Sequence, residues 1–276
     1  MEEAITTPVH RMGIQRFHEP SGWEHTEDLL VTEEPLEIRV AHGVGKNRKT
    51  EPISVTMRTP GNDPELVAGF LFTEGLVERP EDILRIRPCT DEATGELSPN
   101  IVRVELREEA DFSMPSRNTF MSSSCGICGK ASIDQIETRC TFPIAKKPLE
   151  LEAQTILKLP EYLRETQTVF AHTGGIHAAA LFNSKGELMS LREDVGRHNA
   201  VDKVIGEQWL KDCTPLADYV LLVSGRVGFE IAQKAAMSGI GAMASIGAPS
   251  GNAVELLRRR SIPLYGFIRK SRFNRY

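Results

Sequence analysis

The stretch DYVLLVSGRVGFEIAQKAAMSGIGAMASIGAPSGNAVELLRRRSIPLYGFIR, residues 218–269, decides the fold. It holds three short apolar runs, DYVLLVS (218–224), GAMASIG (241–247) and PLYGFIR (263–269). Segments of helical spacing separate them, from about Val227 to Met237 and from about Asn252 to Arg259. Strands alternating with helices in this way predict a parallel sheet covered by helices. In such a sheet, ligands bind in the crevice beyond the carboxyl ends of the strands. Those ends carry Ser224-Gly225-Arg226, Ala248-Pro249-Ser250-Gly251 and the basic tail from Arg269 through Arg272 to Tyr276. Small residues with free backbone N–H groups at helix starts, joined by Arg226, Arg269 and Arg272, suit an anionic, nucleotide-like ligand. Each turn alone also reads as an ordinary strand-to-helix connection. Three on one edge favour the ligand.

Working outward, GGIHAAALFNSKGELMSLRED (174–194) reads as two strands joined by an Asn-Ser-Lys-Gly turn, and the helix VGRHNAVDKVIGEQWL follows. Within EDVGRHNAVDK (193–203), Asp194, His198 and Asp202 recur at i, i+4 spacing. That spacing predicts one shared helical face, with a carboxylate positioned to orient the His198 imidazole. A salt-bridged surface helix is the alternative. The paired glycines of AHTGGIHAAALF (171–182) suggest close approach of backbone to a ligand or neighbour; His172 and His177 keep open roles.

The first half is β-rich. LEIRV (36–40) and ISVTMRT (53–59) alternate at period two, as a hairpin does, and ILRIRPC and NIVRVELRE read as further strands. TPGNDPELVAGFLFTEGLV (59–77) reads as turn then helix, with Asp63 as cap, Pro64 in the first helical position and Gly75 near the end. Residues 1–30 are polar and mixed and are expected as a poorly ordered arm. EADFSMPSRN (109–118) breaks periodicity and marks a boundary. The expected organisation is an arm over 1–30, a β-rich subdomain over 31–115 and an α/β domain over 116–276.

A net charge of -5 argues against a general nucleic-acid binder. The N-terminus, MEEAITTPVH, is acidic where a signal peptide is basic, and no apolar run is long enough to cross a bilayer, so the expectation is a cytoplasmic protein. Five cysteines without a secretory signal favour reduced thiols; Cys89, Cys140 and Cys213 are single and read as inert.

The remaining pair lies in SSSCGICGK (122–130). Apolar positions in GKASIDQIETR fall at helical spacing, which puts Cys125 and Cys128 at a helix start, where the dipole and free N–H groups favour a thiolate. A closed zinc site needs four ligands, and no second CxxC exists, though His172, His177 and His198 could complete a mixed site. Zinc deaminase chemistry needs H-x-E before P-C-x-x-C; His177 is followed by Ala178 and Ala179, and the cysteine pair precedes it, so that chemistry is rejected. Disulfide exchange and sulfur carriage both need an accessible thiolate of low pKa, and the pair alone does not separate them.

Taken together, SSSCGICGK, TGGIHAAALF, EDVGRHNAVDK, the Ser-Gly-Arg turn and GFIRKSRFNRY, with TPGNDPELVAGFLFTEGLV before them, resemble the FdhD family over most of residues 35–276. The resemblance implies a sulfurtransferase accessory to formate dehydrogenase, which takes persulfide sulfur from a cysteine desulfurase. It implies delivery to the molybdenum cofactor, as molybdopterin guanine dinucleotide, before insertion into the formate dehydrogenase apoenzyme. It maps the persulfide to Cys125, with Cys128 supporting, and cofactor binding to Phe267, Ile268, Arg269, Lys270, Ser271 and Arg272. Ser224, Gly225, Arg226 and Ser250 join that set from the strand-end reading, and His198 from EDVGRHNAVDK. The cofactor is expected as bound substrate, with no permanent metal, no nucleic acid and no membrane; a homodimer is left open. The expected fold class is α/β (α+β overall), a β-rich N-terminal part followed by a three-layer α/β/α, cytidine-deaminase-like domain. A zinc-binding or scaffolding cofactor chaperone and a dithiol oxidoreductase are the rival readings.

Overall fold

In the computed structural model the described residues are 7–90, 95, 97–110, 112 and 140–276. The CGIC pair and the helix expected after it lie outside them.

The fold is mixed α/β. Its larger sheet has the order β12-β11-β10-β9-β7-β8. β9 (Tyr219–Val223), β10 (Ala242–Ser245) and β11 (Leu264–Arg269) run parallel, joined through α5 (Phe229–Met237) and α6 (Gly251–Arg259). β7 (His177–Asn183) lies antiparallel to both β9 and β8 (Leu188–Asp194). The β7–β8 turn forms because Asn183 Oδ1 accepts from the N–H groups of Lys185 and Glu187, and Gly186 supplies a φ of +81°. The expected basic tail instead turns back as β12 (Arg272–Arg275), an antiparallel edge strand on β11.

Period-two alternation sorts the sheet's side chains onto two faces. Ala179, Leu181, Leu221, Val223 and Met243 pack with α4 (Arg197–Leu210), α5 and α6. Ala178, Ala180, Phe182, Leu222, Ala242 and Ala244 pack with Ile156, Leu159 and Leu163 of α2 (Ala153–Thr166). These are three layers, helix, sheet and helix. The short α3 (Thr168–Thr173) follows α2.

The first half is a four-stranded sheet of order β4-β3-β6-β5. β3 (Glu34–His42) pairs antiparallel with β4 (Lys49–Arg58) and parallel with β6 (Leu97–Leu106), and β5 (Ile83–Thr90) closes the edge. Its inner face, Leu36, Ile38, Val40, Val102 and Val104, packs in one continuous core with α1 (Asp63–Thr73) and α4. α1 is buried nearly all round, as a helix held between a sheet and a second helix must be. The expected Asp63 cap is not formed. Asn62 occupies the cap position with φ 58° and no side-chain bond, and Asp63 forks onto Arg58 with two contacts of 3.0 Å. The arginine outcompetes the helix N–H groups because a bidentate guanidinium–carboxylate pair is the stronger interaction.

Two glycines let α1 and α4 cross closely. A Cβ on Gly69 would lie 1.9 Å from the Asp202 carbonyl oxygen, and one on Gly206 would lie 2.0 Å from that of Glu65. Where residues 1–30 are expected as a poorly ordered arm, β1 (Val9–His18) and β2 (Gly22–Val31) form an antiparallel hairpin. None of its residues is buried, so the sequence lacks the alternation that marks a strand.

Candidate functional site at the carboxyl edge of the parallel strands

β9, β10 and β11 end side by side, and the turns that follow are bonded into one rim. Ser245 Oγ donates to the Gly225 carbonyl at 2.8 Å and accepts from the Gly247 N–H at 3.0 Å. Val227 N donates to Ala248 O at 3.1 Å and Ser250 N to Val227 O at 2.9 Å, which ties the second turn to the first. Phe267 N donates to Gly247 O at 3.1 Å, which ties in the third. A Cβ on Gly247 would stand 2.7 Å from the Gly225 carbonyl oxygen, so glycine is required where these turns touch. Ser250 caps α6 by accepting from Ala253 N at 3.3 Å.

The antiparallel β7 brings its first residue to the same edge. Ser224 Oγ accepts from Ala178 N at 3.0 Å, and the His177 ring lies against Gly225, 3.4 Å from where a Cβ would sit. Burial, then the adjacent Arg197 cation, push the His177 imidazole below its ordinary pKa, while Asp194 opposes them. β8 ends at Asp194, and α4 begins three residues later, which places Arg197 and His198 on this rim.

Asp194 does not orient His198, contrary to the i, i+4 expectation. It closes β8 rather than lying in the helix, and its wholly buried carboxylate gathers four donors. These are Gly196 N (2.8 Å), Asn199 Nδ2 (3.0 Å), Thr59 N (3.2 Å) and Lys203 Nζ (2.7 Å). His198 instead meets Glu230 of α5, Nε2 to Oε2, at 2.8 Å. That hydrogen bond, acting against burial, holds the Glu230 carboxyl below the usual range. Asp202 turns the other way, to Thr73 Oγ1 at 2.8 Å and Lys234 Nζ at 3.0 Å.

The structure therefore brings Ser224, Gly225, Arg226, Ser250, His198, Phe267 and Arg269 to one edge. Arg226 is exposed there, and Arg269 bends its Nη1 onto the Ile246 and Ile268 carbonyls at 2.7 and 2.9 Å. Phe267 adopts φ 53°, a left-handed conformation rare for a non-glycine residue, and presents an exposed ring. Ile268 is buried in the layer beneath and anchors the segment rather than facing the crevice. Lys270, Ser271 and Arg272 form the exposed turn into β12. Cys125 and Cys128 lie outside the described residues. Among the described residues no cluster of three or more His, Cys, Asp or Glu side chains is arranged to hold a metal ion. Among them also, no helix is long and apolar enough to cross a membrane. Sequence reasoning missed Glu230 and Ser245, whose place appears only once α4, α5 and β10 are seen to end on one rim.

The edge is one of small, bonded turns fringed by arginines at the strand ends of a mixed α/β fold. Residues 31–276 match the profile of the FdhD/NarQ family, and the chain belongs to that family. It is 45% identical over 254 residues to a Streptomyces coelicolor protein named sulfur carrier protein FdhD, covering 90% of this chain and 87% of that one. A Mycobacterium tuberculosis protein of the same name is 44% identical over 256 residues, 90% of each chain. One from Saccharolobus solfataricus is 37% identical over 268 residues, 97% and 96%. The fold matches a crystal structure from Desulfotalea psychrophila, provisionally described as a formate dehydrogenase accessory protein. That match has TM-score 0.71 and 24% identity, and covers 97% of this chain and 96% of that one.

Proposed function

We propose that this chain carries sulfur from a cysteine desulfurase to the molybdenum cofactor destined for formate dehydrogenase, with Cys125 as the carrier and Cys128 in support. The observation that carries the reading is the strand-end rim, together with membership of the FdhD/NarQ family and relatives named sulfur carrier proteins. In the loading step the Cys125 thiolate attacks the terminal sulfur of the desulfurase persulfide. A new S–S bond forms at Cys125, the donor's S–S bond breaks, and the donor cysteine leaves as thiolate. The guanine dinucleotide form of the cofactor is the bound substrate. Its pyrophosphates call for cations and free N–H groups, which Arg226, Arg269, Lys270 and Arg272 and the starts of α5 and α6 supply. The protein's own contribution is to orient that substrate; the sulfur chemistry at the metal belongs to the cofactor. We place the carrier in the cytoplasm, where desulfurase and apoenzyme meet.

The test is incubation of the full chain with a cysteine desulfurase and L-cysteine without reductant, followed by intact mass and peptide mapping. One added sulfur on Cys125, absent from Cys125→Ser, is expected. No added sulfur on either cysteine with an active desulfurase overturns the carrier role and leaves a scaffold that holds cofactor and apoenzyme together.

A further inference from the structure

The face of the four-stranded sheet turned away from α1 carries an unusual row. The register sets Arg39 of β3 opposite Arg103 of β6, and Arg103 opposite Arg87 of β5. Three arginines therefore stand abreast across adjacent strands, with Cβ atoms about 5 Å apart at each step, an arrangement that like-charge repulsion disfavours. The next row sets Arg85 near Glu105. Among the described residues Glu37 and Glu105 offset them: Arg39 forks onto Glu37 at 2.9 and 3.2 Å, and Arg87 meets Glu105 at 2.8 Å. Arg103 shares Glu105 at 3.8 Å only, and its Nε is buried without a hydrogen bond. Among the described residues, four arginines against two carboxylates leave a patch of +2 on a chain of net charge -5. Beside the row on the same face lie Val55, opposite Glu37, and Met57, opposite Pro35, both exposed, with Ile101 across the strand.

We propose that this face docks a protein partner that presents a strip of carboxylates. The row suits carboxylates, because Arg103, which Glu105 reaches only at 3.8 Å, offers a fork that a carboxylate can fill bidentately. A middle arginine left without a full partner is the group such a contact would complete. The observations favour a protein over a nucleic acid: Glu37 and Glu105 flank the row on either side and interrupt the positive surface, which is too short to follow a phosphate backbone. An apolar strip flanked by arginines is also the composition of protein interfaces. The strip adjoins the rim, since Asn199 Nδ2 donates to Met57 O at 2.8 Å and Thr56 Oγ1 donates to Asn199 Oδ1 at 3.1 Å. Resting on the carrier reading, this surface is where a donor or acceptor protein sits while sulfur changes hands at the neighbouring crevice.

The test uses the full chain, with labelled poly-L-glutamate as probe and long-chain polyphosphate and duplex DNA as competitors. Wild type is expected to bind the polypeptide in a salt-sensitive manner. Arg39→Gln/Arg87→Gln/Arg103→Gln is expected to bind about tenfold more weakly or worse, each lost charge contact contributing a small factor. Arg103→Met alone is expected to melt no lower than wild type, because it relieves repulsion and removes an unpaired buried donor. Equal binding by wild type and the triple variant overturns the proposal, as does displacement by polyphosphate or DNA at lower charge concentration. A fall of more than about 5 °C in Tm for Arg103→Met also overturns it, since the row would then be a structural element. Sulfur uptake from a low-molecular-weight persulfide needs no docking face. Its failure in wild type and triple variant alike therefore marks failure of the carrier reading, while the polyglutamate titration still decides the docking face.

Discussion

Gly206→Ala tests the joint between the two halves of the molecule. The added Cβ would stand 2.0 Å from Glu65 O, 2.6 Å from Gly69 N and 2.9 Å from Glu65 C. All three atoms are backbone of α1 or its first turn, so no rotamer change relieves the clash. Ordinary contact begins near 3.4 Å, so α1 and α4 must part by roughly 1.4 Å, the difference between 3.4 and 2.0 Å. The same interface holds Thr73 Oγ1 to Asp202 at 2.8 Å. Stretched by that amount this contact passes 4 Å and ceases to be a hydrogen bond. Overpacking costs about 1–3 kcal/mol and a weakened buried polar contact about as much again, so about 3–5 kcal/mol is expected. For a chain of this size that lowers Tm by about 6–15 °C. Calorimetry of the full chain checks it, with Gly13→Ala as control, because nothing lies within 4 Å of a Cβ there. A Gly206→Ala protein melting within about 2 °C of wild type would falsify the claim that the crossing needs glycine.

Three further outcomes follow from the geometry. Burial alone would lower the Lys234 ammonium's pKa, but Asp202 and Glu74 raise it above the ordinary lysine value. Lys234→Met therefore leaves the buried Asp202 carboxylate without its cation at a cost of about 3–5 kcal/mol, and adding Asp202→Leu should recover part of it in a denaturation cycle rather than adding to it. For His177, whose folded pKa is lowered, the unfolded chain binds more protons below about pH 6.5, so stability falls as pH drops through that window. His177→Gln should flatten the loss of Tm between pH 7.5 and 5.5, at about the values that bracket that titration; an unchanged slope would count against the buried, Arg197-flanked imidazole. Ser245→Ala removes the bond that joins the Gly225 and Gly247 turns, costing about 1–3 kcal/mol, and should weaken guanosine diphosphate binding measured by calorimetry. Unchanged affinity with the expected Tm loss would show that the rim's geometry does not govern ligand binding.

The parallel part of the fold was legible because each element there keeps one period. DYVLLVS and GAMASIG are short enough to be strands, and the segments after them hold helical spacing, so order and strand ends could be read together. α2 was harder, since Pro160 interrupts a segment whose buried positions, Ile156, Leu159 and Leu163, otherwise repeat on one face. The β1–β2 hairpin offers no pattern, because Phe17 and Trp23 meet edge-on at 5.4 Å while both stay exposed. In the site, the residues named from the sequence fall on one edge, but two of their expected contacts do not form. The i, i+4 spacing from Asp194 to His198 has meaning only inside a helix, and Gly196 begins that helix two residues too late. Glu230 reaches His198 from another element, a contact no local spacing announces.

α4 explains why the two halves act as one body. Its start carries Arg197 and His198 to the rim, and Asp194 secures that start through Gly196 and Asn199. Asn199 also holds the Met57 carbonyl and the Thr56 hydroxyl of β4, and Lys203 holds the Thr59 carbonyl at 2.9 Å. The end of β4 is thus bonded to the helix that presents the crevice's side chains. A partner that tilted the four-stranded sheet would pull on Asn199 and Lys203 before any apolar contact yielded, because hydrogen bonds weaken steeply with distance and angle whereas packing degrades gradually. Asn199→Leu keeps the side chain's bulk while cutting these bonds. It should leave polyglutamate binding intact and weaken guanosine diphosphate binding, the two titrations that separate the sheet's outer face from the rim.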